Sequence, residues 1–385
     1  MTPNCPTLDI EAYRPLFPVT QHHIFLNHAA VAPVSTRVVE AVNEYFTDVL
    51  RAGGTNEPAW LERVKKARAD AAALVGAEPE EIAFVKNTTE GLLFVANGIR
   101  WREGDNAVTA SCEFPANVYP WRNLARWGVE TRFVKPRGGR ILVDDVRAAL
   151  DRRTRVVSLS FVQYFNGFRA DLEALGTLCR ERGVLFCVDA IQGLGALQLD
   201  VSRTPVDFFS ADGHKWLLAP EGIGVFYCRR ERLEDLEPLE AGWWSVQKAT
   251  YYAPDYSTYT APLRNDAQRF EPGTRNNAGL FGLGAALALL REIGILRIEA
   301  RILALTDRLI EGLQRRGYTI LSPLRPAERS GIVTFRRKGQ PALQLHRRLR
   351  EANILVSLRH NAVRVSPHFY NTEEEIDALL EALPA

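Results

Sequence analysis

From about residue 80 to residue 230 the chain alternates short, continuous apolar runs with stretches of helical periodicity. "EIAFVK", "NAVTASC", "VETRFVK", "RVVSLSFV", "VLFCVDA", "VDFFSAD" and "GIGVFYC" read as strands, rich in β-branched and aromatic residues. "TEGLLFVANGI", "VYPWRNLARWG", "VRAALDRR" and "DLEALGTLCRERG" read as helices between them. A strand that is apolar on both sides has no solvent face. The pattern therefore predicts a mainly parallel, mixed sheet covered by helices on both faces, an α/β fold. From residue 231 to 275 the periodicity is lost in a stretch containing "GWWSVQKATYYAPDYSTYTAPLRND", rich in aromatics, proline and polar residues. Beyond it lie the helical segments "AGLFGLGAALALLREIG" and "EARILALTDRLIEGLQRRG", then strand "SGIVTFRR" and helix "ALQLHRRLREAN". Strands "ILVSLR" and "AVRVSP" and the terminal helix "TEEEIDALLEALP" complete the pattern. The expected organisation is a large domain over 21–255 and a smaller C-terminal α+β domain over 256–385, with segment 1–20 packed on the smaller one.

Right-handed crossovers place the loops that follow parallel strands along one edge of a sheet, and ligands of such sheets bind at that carboxyl edge. "KNTTEG", "CEFPAN", "DAIQG" and "ADGHK" each follow a predicted strand, so they are expected to converge on one site.

Composition narrows the class. The 385 residues are 46% hydrophobic and 24% charged, enough to bury a sizeable core. A net charge of +2 gives no electrostatic reason to expect nucleic acid or an anionic membrane as partner. The basic run "RRLR" (Arg347 to Arg350) lies on a helical pattern and reads as a solvated face. Cys5, Cys112, Cys179, Cys187 and Cys228 form no CxxC and no metal-binding pattern; Cys187 and Cys228 sit inside apolar runs as small buried hydrophobes. An odd count suits a reducing compartment. The first residues, "MTPNCPTLDIEAYRPLF", lack the basic-then-apolar pattern of a secretory signal, and no apolar run is long enough to span a membrane. The expected location is cytoplasmic.

The stretch "SADGHKWLLAPEGIG" (Ser210 to Gly224) places Lys215 in a small-residue loop rather than on a solvated helix face. A lysine there suits covalent chemistry with a carbonyl. A phosphate-bearing aldehyde would need three things besides: a phosphate cradle at a helix N-terminus, an acid for a ring nitrogen, and a platform for the ring face. "NTTEG" (Asn87 to Gly91) opens a helix after a strand, so its N–H groups and the Thr88 and Thr89 hydroxyls can bind a phosphate. Taken alone it is also an ordinary N-cap box. Asp189 ends a buried strand, where a carboxylate is as readily a helix cap as a catalyst. Gln192 follows three residues on with a neutral amide. Phe114 follows "NAVTASC" and can lie against an aromatic ring, although an isolated Phe is ordinarily core. Their shared strand-end placement is the stronger signal.

"DAIQG" followed by "ADGHKW…PEGIGVFY", with 215 − 189 = 26 residues from Asp189 to Lys215, resembles the class V aminotransferase superfamily of fold-type I pyridoxal-phosphate enzymes. That superfamily includes cysteine desulfurases, isopenicillin N epimerase-like proteins and kynureninase-like hydrolases. "FLNHAAVAP", "CEFPANVYPW", "RFEPGTRNNAGLFGLGAAL" and "VRVSPHFYNTEEEID" extend the resemblance, in order, over nearly the whole chain. It implies pyridoxal 5'-phosphate as cofactor, Lys215 as its Schiff-base lysine and Asp189 as the partner of the pyridinium nitrogen. Gln192 would donate to the phenolic oxygen, Phe114 would stack on the ring, and Thr88, His214 and the Thr89 backbone would hold the phosphate. Gly273 and Thr274 match the pair that reaches the phosphate of a neighbouring subunit, which implies a homodimer with shared sites. Arg364 matches the arginine that grips the carboxylate of a small amino-acid substrate, although alone it reads as an exposed strand arginine. Asn27, Ala29 and Ala30 would line the entrance.

Three departures bear on the reaction. The stretch "SLRHNAVRVSP" (Ser357 to Pro367) has no cysteine where desulfurases carry their nucleophile. Phe114 stands where desulfurases place a histidine, and it can stack but cannot move protons. Asp212 stands where many relatives have a phosphate-binding serine, so it must point away or be offset by a cation. Within "FVQYFNGF" either Gln163 or Tyr164 could reach the cofactor. His360, Arg359, Trp243, Trp244, Tyr251 and Tyr252 are candidates for selecting the substrate side chain, with packing the plainer role for the two tryptophans. The expectation is chemistry at the substrate Cα: transamination, β-elimination of the C–S lyase type, or epimerisation. Desulfuration without the loop cysteine, or a non-catalytic binding or assembly role, are the alternatives.

Overall fold

The computed structural model describes residues 8–247, 255, 257 and 262–384. The chain enters through a two-residue strand β1 (Ile24–Phe25) and two helices, α1 (Thr36–Ala52) and α2 (Glu57–Val75). The alternating region then gives β2 (Ile82–Val85), α3 (Thr88–Gly98), β3 (Asn106–Ala110), the single turn α4 (Tyr119–Arg122) and β4 (Glu130–Val134). It continues as α5 (Val143–Ala149), β5 (Thr154–Ser160), α6 (Leu172–Arg182), β6 (Leu185–Asp189), β7 (Phe208–Asp212) and β8 (Gly224–Cys228). All seven predicted strands are present. "VYPWRNLARWG" is not one helix, however. Pro120 and Trp121 sit in the single turn α4, the buried Trp121 indole donates to Asn117 Oδ1 at 2.9 Å, and the chain tightens into a 3-10 turn that Gly128 ends at φ +71°.

The seven strands form one sheet in the order β2-β8-β7-β6-β5-β3-β4. Every neighbouring pair is parallel except β8, which runs against both β2 and β7. β2 therefore points the same way as β3 to β7, and the loops after these strands share one edge. Strand order reverses between β3 and β5: β4 lies outside β3, whereas β6 and β7 step away on the other side. Connections diverge at such a point and leave a crevice. β3, β6, β7 and β8 are buried at all five positions, as expected for strands covered on both faces.

The C-terminal part carries α7 (Asn277–Ile293), α8 (Ile295–Arg315), β9 (Thr319–Ile320), β10 (Val333–Arg336), α9 (Ala342–Glu351), β11 (Ile354–Leu355), β12 (Ser357–Arg359), β13 (Ala362–Val365) and α10 (Glu373–Ala382). α7 packs against α1 and α2, while α8, α9 and α10 enclose a core of Leu309, Phe335, Leu349, Val363 and Ile376 beneath a four-stranded sheet β12-β13-β10-β9. The predicted single strand "ILVSLR" is two. Ile354 and Leu355 pair in parallel with β1, whereas Ser357 to Arg359 pair antiparallel with β13. This split ties the entering chain to the C-terminal unit, as does Arg14, which donates to Tyr370 O at 3.0 Å and pairs with Glu375 at 2.7 Å. Among the described residues no single helix is long and apolar enough to cross a membrane.

Candidate active site

The loops after β2, β3, β5, β6 and β7 meet the segment after β1 and the β12–β13 hairpin around a cavity of about 340 Å³. That lies within the usual size range of small-ligand sites. Thr88, Thr89, Phe114, Asp189, Gln192, His214, Lys215 and Arg364 all line it, with Ala29 and Ala30 at one side. The convergence expected from strand-end placement is what the fold delivers.

One end of the cavity lies at the start of α3. Asn87 caps this helix, its Oδ1 accepting from Glu90 N–H at 3.0 Å, and the free N–H groups of the first turn point outward. The Thr88 hydroxyl accepts from Asp212 N–H at 3.0 Å, which leaves its own proton to donate. Gly91 lets α3 lie close on the sheet, since an added Cβ would run into the Ser210 side chain. Asp212 Oδ2 lies 3.0 Å from His214 Nδ1. Asp212 Oδ1 and His214 Nδ1 are nevertheless buried without a hydrogen-bond partner among the described residues.

Asp189 lies deeper, 3% exposed, and accepts from Ile191 N–H at 3.2 Å. Burial pushes its carboxyl up to about 6, while the Ile191 N–H bond and the nearby Lys215 amine pull the other way. Lys215 shows the mirror effect. Burial brings its amine down from 10.5 to about 8, Asp189 opposes this, and Arg364 adds repulsion. The amine sits 5.6 Å from the centre of the Phe114 ring. Arg364 is 1% exposed on β13, where Nη1 donates to Tyr164 O at 2.6 Å and Nε has no partner. Burial, then the neighbouring Arg359, lowers its guanidinium to about 9, so it remains cationic at neutral pH. A buried cation with an unused N–H, a buried carboxylate and a partly neutral amine in one cavity form a donor set suited to an anionic, carbonyl-bearing ligand.

Gln163 and Tyr164 point different ways. Tyr164 lines the cavity, while Gln163 turns inward and donates from Nε2 to Glu113 at 2.8 Å. Gln192 is held at both ends of its amide: Oε1 accepts from the Trp216 indole at 3.0 Å and Nε2 donates to Ala29 O at 3.0 Å, leaving one N–H. Phe114 is 45% exposed and meets Tyr164 edge-on, with ring centres 5.3 Å apart. Arg359 also lines the cavity, so two guanidinium groups face one space. His360 reaches the site through its Nε2, 2.8 Å from the Tyr164 hydroxyl.

Asn27, expected at the entrance, lies elsewhere, and Gly273 and Thr274, expected to serve a neighbouring subunit, do not line this chain's cavity. Asn27 is off the cavity wall and instead takes a short hydrogen bond from Ser357 Oγ, while Val31 takes the wall position. Gly273 and Thr274 line a different cavity beside Lys86 and Glu90. Glu271 holds their segment, paired with Arg68 at 2.7 Å and Arg275 at 2.9 Å. Trp243 and Trp244 pack on each other with ring centres 4.8 Å apart, away from the cavity, and Tyr251 and Tyr252 lie outside the described residues. Sequence reading missed Glu113, a buried carboxylate between β3 and Phe114. Its position inside "CEFPAN" was the only signal available.

The profile of the aminotransferase class-V family matches residues 24–379. A probable cysteine desulfurase of Methanothermobacter thermautotrophicus is 32% identical, with 95% of each chain covered. Among solved structures, the apo cysteine desulfurase of Thermococcus onnurineus NA1 superposes with a TM-score of 0.88 at 28% identity, covering 98% of this chain and 97% of that one. A cystine C–S lyase in complex with cysteine persulfide superposes at 0.87 with 25% identity, covering 95% and 98%. The chain thus belongs to the class-V aminotransferases, pyridoxal-phosphate-dependent enzymes of fold type I that act on amino-acid substrates.

Proposed function

We propose that this cavity carries out β-elimination on a small sulfur-containing amino acid, with Lys215 as both cofactor anchor and Cα base. With pyridoxal phosphate bound, Asp189 at the floor would pair with the protonated ring nitrogen, Phe114 would cover the ring face, and Gln192 would offer its remaining N–H to the phenolic oxygen. The first turn of α3, Thr88 and His214 would hold the phosphate. Pyridoxal phosphate supplies the electron sink for charge left at Cα. Burial brings the Lys215 amine down to about 8, so a usable fraction is neutral at physiological pH and could take the Cα proton. Arg364 grips the α-carboxylate and fixes which Cα bond is aligned for cleavage.

The observation that carries the elimination reading is the second guanidinium. Arg359 faces the same cavity as Arg364, which fits a substrate with an anionic group at its far end, as in cystine. Persulfide transfer to the chain is disfavoured by the hairpin. Only His360 and Asn361 join β12 to β13, and no cysteine lies between Ser357 and Pro367. Cys112, beside Glu113, has its thiol pushed up to about 12 by burial, which leaves little thiolate. Gly273 and Thr274 lie apart from this chain's own cavity, and Val39, Phe46 and Leu50 leave an apolar face of α1 exposed. Both features fit a homodimer in which each chain completes its partner's site, and a cytoplasmic location fits the free cysteines.

The test is product analysis of holoenzyme given cystine, cysteine and a panel of other amino acids. Cleavage of the Cβ–S bond of cystine is expected to give pyruvate, ammonia and cysteine persulfide as the leaving group, with Arg359→Ala raising KM for cystine about tenfold or more while leaving cysteine little changed. Alanine with sulfane sulfur would establish desulfuration instead, and a 2-oxo acid with aminated cofactor would establish transamination. Absence of Cα deuterium exchange with every amino acid would remove Lys215 as base.

A further inference from the structure

Glu113 lies at the crevice where the strand order reverses, immediately before Phe114. It is 6% exposed, and its hydrogen-bond partners are all neutral. Oε1 accepts from Ser160 N–H at 2.9 Å and from Gln163 Nε2 at 2.8 Å, and Oε2 meets the Ser160 hydroxyl in a short contact. A second link lies on the far side of Phe114, where Asn117 Oδ1 accepts from Ser158 Oγ at 2.6 Å. Ser158 and Ser160 stand two apart on β5 and so share one face of that strand. The loop after β3 is therefore stapled to β5 on either side of Phe114.

Between those staples Phe114 projects half-exposed into the cavity, where packing alone cannot fix it. The same carboxylate also holds Gln163, the residue before Tyr164. A buried carboxylate without a cation is a costly anchor, and here it joins the two loops that supply the aromatic walls. We propose that Glu113 is a positioning residue: by tying the loop after β3 to the loop after β5, it sets Phe114 against the cofactor face and Tyr164 beside the substrate. This inference rests on the site assignment proposed above.

The oxygen pattern separates geometry from charge. One oxygen takes both N–H donors, and the other faces a hydroxyl that can donate or accept. An amide therefore fits as well as a carboxylate, so Glu113→Gln keeps every link whereas Glu113→Ala removes all of them. Full-length apoenzyme of each form is titrated with pyridoxal phosphate and followed by visible circular dichroism of the bound cofactor. The expected result is a Glu113→Gln Kd and dichroism within about twofold of wild type, and a Glu113→Ala Kd weakened about tenfold or more with reduced dichroism. Two outcomes overturn the proposal. One is a Glu113→Ala protein that melts earlier yet binds cofactor with wild-type affinity and dichroism. The other is Glu113→Gln failing as badly as Glu113→Ala, which would make charge rather than anchoring the cause. If Glu113→Ala does not fold, Gln163→Leu cuts only the link to the Tyr164 loop. It should then raise KM about fivefold or more with cofactor Kd unchanged, and an unchanged KM would also overturn the proposal. A wild-type protein without any cofactor signal would sink the site assignment and this inference with it.

Discussion

Replacing Lys215 by methionine should make the apoprotein more stable. Burial lowers the amine from 10.5 to about 8, a depression of 10.5 − 8 = 2.5. At about 1.4 kcal/mol per pKa unit, holding the ammonium in the folded state near pH 7 costs about 3 kcal/mol. That cost is already net of the attraction from Asp189, which holds the amine higher than burial alone would. Methionine has nearly the same length and no charge, so it fills the space without a large cavity. The expectation is a stabilisation of about 3 kcal/mol, at the expense of all activity. The pH dependence has a definite sign. Between 8 and 10.5 the unfolded chain binds more protons than the folded one, so wild-type stability rises with pH through that window. The advantage of the variant must shrink accordingly and vanish above it. Urea denaturation of both apo forms, at equal chain concentration and at several pH values across the window, measures this directly. A variant no more stable than wild type near neutrality, or an advantage that persists unchanged above the window, would refute the reasoning that Lys215 is held desolvated for chemistry.

Two further outcomes follow from the same geometry. The rate at which apoenzyme captures pyridoxal phosphate should rise with pH and level off above about 8, because only the neutral Lys215 amine attacks the aldehyde; stopped-flow absorbance would contradict this if the rise continued toward 10.5. Glu271→Ala should cost about 3–5 kcal/mol in urea denaturation, since it strands the buried Arg68 that also donates to Ile82 O at 2.6 Å; a loss below about 1 kcal/mol would show that the network is not under load.

Much of the site is legible along the chain because parallel strands export their following loops to one edge. Thr88, Phe114, Asp189 and Lys215 could each be read as a cap, a core residue or a surface group, and only their shared position after apolar runs pointed to one place. Glu113 escaped that logic. A carboxylate just past a strand looks the same whether it faces water or closes three hydrogen bonds beneath a loop, and its partners Ser160 and Gln163 are 47 and 50 residues away. "ILVSLR" escaped it too, since alternation marks extended chain but does not say which strand will pair with which half.

By itself the sequence determined the layered α/β class, the edge at which chemistry would gather and the lysine and aspartate that gather there, because hydrophobic periodicity and strand-end placement are local properties; Arg364 was marked only by the family resemblance. Only the tertiary structure decided that Tyr164 rather than Gln163 faces the cavity, that Arg359 joins Arg364, and that His214 stands against Asp212. It also decided that Gly273 and Thr274 lie away from their own chain's site. Those facts depend on strand register and on contacts between distant segments, where a one-residue shift reverses every side chain and burial, not residue type, sets the charge.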